Sequence, residues 1–82
     1  MLGADQGTDS LKAQVAGSIV ATLQDRHLTA RGAAVATGID PADVQRIRNG
    51  DLARFTLDRL IRVAHRLGHR VEVAVLPLGH AT

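Results

Sequence analysis

Leu11, Val15, Ile19 and Leu23 recur at every fourth position, with Ala16 and Val20 beside them. That spacing lays one apolar stripe along a helix and predicts about four amphipathic turns, opening after Asp9 or Ser10, either of which can cap it. Residues 1–9, MLGADQGTD, are small, polar and glycine-containing, which predicts a flexible N-terminal tail or a partner-binding arm. His27-Leu28 breaks the stripe. Thr29 can cap a short alanine-rich helix, Ala30 to Thr37, that stops at Gly38, where a left-handed turn is wanted. Asp40-Pro41 restarts the chain: the carboxylate can accept from the free amides of a new first turn, and proline suits the position whose N–H has no helical partner. The third helix therefore runs from Pro41 to about Asn49 and ends at Gly50-Asp51. A loop through Phe55 leads to Thr56, a third capping residue. Leu57, Leu60, Ile61, Ala64 and Leu67 then line one face of a fourth helix that closes at Gly68, with Arg59, Arg62 and Arg66 on its other side.

After Gly68 the period changes from helical to alternating. Val71, Val73 and Val75 interleave with Glu72, Ala74 and Leu76 as far as Pro77, which is a strand pattern over residues 70–76. A lone strand leaves its N–H and C=O groups without partners, and no second strand is visible in the chain. The simplest partner is the same strand of a second copy across a two-fold axis, so a homodimer is expected; a different protein or residues 1–9 are the other possible partners. The expected architecture is mainly α: a domain over residues 10–76 with four helices and a dimerisation strand, followed by a C-terminal tail over residues 77–82.

Composition narrows this picture. At 82 residues the chain can build one hydrophobic core. It has no cysteine, so neither a disulfide nor a thiolate metal site holds it together. With Phe55 the single aromatic residue, the core must be built from Ala, Val, Leu and Ile, and Phe55 is expected to anchor it rather than stack on a base. No apolar run approaches the roughly 18 to 20 residues of a membrane span, and the first ten residues lack the basic start and apolar centre of a secretion signal. The reading is a soluble, cytoplasmic protein without a membrane partner. Charge is uneven: residues 1–25 carry Lys12 against Asp5, Asp9 and Asp25, whereas residues 26–70 carry nine arginines against Asp40, Asp43, Asp51 and Asp58. A basic middle suits a polyanion, the plain alternative being a solvated arginine-rich surface.

Two short helices joined at a glycine corner are the helix-turn-helix arrangement. Ala34 is small where the helices approach, Gly38 bends the chain, and Ile39, Val44 and Ile47 fill the interior. At 100° per residue, burying Val44 and Ile47 turns Ala42, Gln45, Arg46 and Asn49 outward. Arg46 can pair bidentately with guanine, Gln45 or Asn49 with adenine, and Ala42 can touch a thymine methyl. Arg31, Arg48 and Arg54 flank that set as phosphate contacts. Asp43 is expected to reach back to the Asp40 amide as in a capping box, the other reading being recognition of a cytosine amino group. Asp58 and Arg62 are spaced to pair. Catalysis is not expected, nor a cofactor or metal. His65 and His69 have the spacing of a zinc pair but no third ligand joins them. Ser18 and Asp25 lie about 10 Å apart along one helix, too far for His27 to bridge.

The stretch LKAQVAGSIVATLQDRHLTARGAAVATGID followed by PADVQRIRNGDLARFTLDRLIRVAHRLGHRVEVAVLP, residues 11–77, resembles the XRE-type (Cro/CI-like) helix-turn-helix antitoxins of the HigA class, from type II toxin–antitoxin modules. The NGDLARFTLDRL and LGHRVEVAV segments carry the more specific part of the likeness. The resemblance implies a lambda-repressor-like fold. It implies a dimer on double-stranded operator DNA that represses its own operon and neutralises a RelE/HigB-like ribonuclease toxin. By the same analogy Thr29, Pro41, Ala42, Gln45, Arg46 and Asn49 occupy DNA-contacting positions. Two departures stand out: Ala30 replaces the family's usual glutamine after the threonine, and the third helix opens Asp-Pro-Ala-Asp. A stand-alone phage-type or metabolic repressor shares the fold without the toxin, and a protein-interaction adaptor shares it without the DNA.

Overall fold

The computed structural model describes residues 4–77 and contains four helices: α1 (Ala4–Asp25), α2 (Ala30–Thr37), α3 (Pro41–Arg48) and α4 (Leu57–Arg66). Helix α1 begins upstream of Asp9 and Ser10, the residues expected to cap it, so residues 4–9 belong to the helix and not to a tail. A residue able to cap does not oblige a helix to start there. Once a helix exists, each added residue gains one backbone hydrogen bond for one fixed conformation, and extension through a short polar stretch is nearly neutral in free energy.

The core gathers Val15, Ala16, Ile19 and Leu23 from α1, Ala33 from α2, Val44 and Ile47 from α3, and Leu60, Val63, Ala64 and Leu67 from α4 and its cap. Phe55, 1% exposed, reaches into it from the α3–α4 loop. Helix α1 packs on α4 and α2 on α3, while α1–α3 and α2–α4 contacts join the two pairs. Val63 was not among the residues expected inside, yet its position one turn from Leu60 places it there.

Two long-range polar contacts fasten the bundle. Arg26, just past α1, donates from Nη2 to the Leu67 carbonyl at 2.7 Å, satisfying an acceptor at the end of α4. The Thr22 hydroxyl donates to the Ser18 carbonyl at 3.0 Å and meets His69 Nε2. His69 therefore works as a bracket between α1 and the segment after α4.

Val71 rests half-buried against the core, and residues 71–77 form neither helix nor strand. The strand expected over 70–76, with Val71, Val73 and Val75 on one face, is thus not formed among the described residues. A ladder requires a second row of backbone donors and acceptors, which a single copy does not supply. Val75 and Leu76 remain 90% and 80% exposed.

Candidate nucleic-acid interface

Local chemistry sets the helix pair. Thr29 caps α2 by accepting from the Gly32 amide at 3.0 Å. Gly38 ends α2 at φ 76°, its N–H donating to the Ala34 carbonyl at 2.8 Å. A side chain would strain that left-handed corner. Ala33 is fully buried in the core, and Ala34, one position around the helix, packs half-buried against it. Asp40 Oδ1 accepts from the Ala42 amide at 3.0 Å and Pro41 takes the first helical position, as the Asp-Pro signal implied. At the far end Gly50, φ 75°, donates to the Ile47 carbonyl at 3.1 Å while Asp51 donates to the Arg46 carbonyl at 2.8 Å. That pair of bonds is a Schellman closure.

With Val44 and Ile47 inside, Ala42, Gln45 and Asn49 stand exposed on the outer side of α3, and Arg46 is half-buried beside them. Thr29, Arg31, Pro41 and Arg54 are also exposed. Arg48 differs from its expected place: it is half-buried, and its Nη2 donates to the Leu28 carbonyl in the α1–α2 loop. Its guanidinium braces the fold between α3 and that loop instead of projecting outward.

Asp43 does not close a capping box with Asp40. Its Oδ1 accepts from Arg46 Nη1 at 2.7 Å and its Oδ2 from Arg59 Nη2 at 2.7 Å. Two guanidiniums within reach draw the carboxylate sideways along α3 and α4, away from the Asp40 N–H that a capping box would use. The hydrogen bond from Arg59 chiefly, aided by the one from Arg46, holds the Asp43 carboxyl below its ordinary range, although partial burial pushes the other way. The guanidinium carbon of Arg59 also lies 4.8 Å from the centre of the Phe55 ring, over its face. The sequence places Arg59 only on the side of the fourth helix opposite its apolar face. The Asp43–Arg46 pair, three residues apart on one helix, was open to inspection, but Asp43 and Arg59 are separated by a loop. The Asp58–Arg62 pair expected on α4 is present at 3.0 Å between two exposed side chains.

Four helices with a glycine-cornered pair, and a third helix whose polar side faces outward, define a helix-turn-helix DNA-binding protein. Residues 4–76 match the family described as helix-turn-helix domain, and the chain belongs to it. No curated protein and no solved structure matches the chain. None of the described helices is long and apolar enough to cross a membrane.

Proposed function

We propose that the protein is a sequence-specific repressor that binds operator DNA as a dimer and acts as the antitoxin to a RelE/HigB-like ribonuclease toxin. The observation that carries the DNA reading is the outer side of α3: Ala42, Gln45 and Asn49 exposed, Arg46 next to them, all presented by a helix capped at both ends. Helix α3 enters the major groove, where Arg46 reads guanine, Gln45 or Asn49 reads adenine and Ala42 meets a thymine methyl. Thr29, Arg31, Pro41 and Arg54 lie against the phosphates and set the register.

The second copy joins through residues 70–76. Exposed Val73, Val75 and Leu76 support this, because pairing with the same segment of another copy supplies the missing ladder and covers apolar side chains. Such a dimer presents two recognition helices to half-sites about one helical turn apart. The toxin partner rests on the resemblance across residues 11–77.

Gel retardation of the DNA upstream of the protein's own reading frame, at near-physiological salt and micromolar dimer, tests the DNA reading. A retarded band competed weakly by unrelated duplex is expected, and its absence overturns it. Co-expression with the adjacent gene tests the toxin partner. Retardation without a co-purifying partner removes the antitoxin role and leaves a stand-alone repressor.

A further inference from the structure

Asp43 joins two guanidiniums that have unequal anchorage. Arg59 lies over the ring of Phe55, which is fixed in the core, and passes that order to Asp43 Oδ2 at 2.7 Å. Asp43 Oδ1 in turn holds Arg46 Nη1 at 2.7 Å. A continuous series of contacts thus runs from the core to Arg46, the basic side chain on the outer side of α3. Only Nη1 of Arg46 is occupied by this contact. The opposite edge of its guanidinium, Nε–H and Nη2–H, has two parallel donors, which match O6 and N7 of guanine. An arginine immobilised before it meets the duplex loses less freedom on binding.

We propose that Asp43 is a positioning residue that sets base specificity: it fixes Arg46 so that the free edge addresses one base pair, and it keeps Arg46 and Arg59 from pairing with any phosphate within reach. The inference rests on the base-reading role given to Arg46 above. A carboxylate facing a polyanion lowers affinity for every sequence alike, and in return it makes one arginine discriminate.

The test is selection from a pool of duplexes randomised over about 20 base pairs, roughly two helical turns and so both half-sites. The selected sequences are compared for the wild type, Asp43→Asn, Arg46→Ala and Arg59→Gln, and binding to the unselected pool is measured across a salt series. The Asp43→Asn protein should lose base preference at the position in each half-site that Arg46→Ala also flattens, from about tenfold to about twofold. It should bind the unselected pool about threefold more tightly, with a log–log salt slope steeper by about one. Arg59→Gln, which loosens Asp43 without adding positive charge, should flatten the same position with no gain on the unselected pool. It also provides an independent route should Asp43→Asn fold poorly by circular dichroism.

A merely structural carboxylate would lower affinity on all duplexes in step with thermal stability and leave the selected sequence unchanged. That outcome, or flattening at a different position from Arg46→Ala, overturns the proposal. If Arg46→Ala flattens nothing although the wild type selects a sequence, the base-reading role of Arg46 fails first and takes the proposal with it.

Discussion

Replacing glycine by alanine at three places should change stability in opposite directions. At Gly38, φ 76°, an L-residue costs about 1–2 kcal/mol of backbone strain. Alanine also restricts the unfolded chain, which returns about 0.4–1 kcal/mol. A Cβ there would meet Arg66 Nη1 at 3.0 Å, but that atom is the far end of a flexible side chain and can move aside. The net loss for Gly38→Ala is therefore about 0.5–1.5 kcal/mol. Gly50, φ 75°, has open space where the Cβ would go, so Gly50→Ala isolates the strain alone and should cost a similar amount. Gly17 also has open space but sits inside α1 with ordinary helical backbone, and Gly17→Ala should stabilise by about 1 kcal/mol.

In a domain of this size each kcal/mol moves the melting temperature by roughly 4–8 °C. Circular dichroism melts should show Gly38→Ala and Gly50→Ala falling by about 3–10 °C and Gly17→Ala rising by about 5 °C. The comparison is made at equal protein concentration, because association raises apparent stability. Gly38→Asn should recover part of the loss, since asparagine tolerates the left-handed region. Well below the melting temperature the strain is present in both free and bound protein and cancels, so DNA affinity should hardly change. If Gly38→Ala and Gly17→Ala shift the melt in the same direction, backbone conformation does not govern the corner. An asparagine at position 38 that melts no higher than alanine would point the same way.

His27 has φ 54° in the turn after α1, so His27→Gly should raise stability by about 0.5–1 kcal/mol, read as a melt shift; no rise would mean that contacts of the ring outweigh the strain. Asp43 titrates below its ordinary range mainly because of Arg59. Its stabilising effect is complete above the unfolded aspartate value near 3.9 and is lost as pH falls through the lower folded value. The melting advantage of wild type over Asp43→Asn should accordingly shrink as pH falls below the unfolded aspartate value, and a difference that stays constant down to the acid limit of the melt would contradict the ion pairs. Arg48→Ala should cost about 1 kcal/mol through the lost bond to Leu28 and leave the salt slope of DNA binding unchanged, whereas Arg54→Ala should reduce that slope by about one. Equal salt effects would return Arg48 to the phosphates.

The parts of the fold that could be read from the chain are those whose causes lie within a few residues. Thr29, Gly38, Asp40-Pro41, Gly50 and Thr56 each act on the adjacent backbone, and the limits of α2, α3 and α4 follow from them. Capping residues were less informative at α1, because Asp9 and Ser10 permit a start without enforcing one. Ala33 and Ala34 are chemically identical neighbours, so only packing could tell which one is buried completely. Among the arginines the pattern failed for a similar reason. Charge locates a guanidinium along the sequence, but its direction depends on acceptors that arrive from elsewhere: the Leu28 carbonyl for Arg48, and Asp43 for Arg59.

The segment after α4 extends that reasoning to the backbone. Alternation of Val71, Val73 and Val75 with Glu72, Ala74 and Leu76 records that the two faces of this stretch differ. It contains no information about which edge supplies the hydrogen bonds. In a single copy only Val71 finds apolar cover, while Val75 and Leu76 face solvent. A strand-like residue pattern is thus not sufficient to form a strand without a neighbouring edge. The free energy that would order it depends on a second edge, and hence on the concentration of whatever provides one.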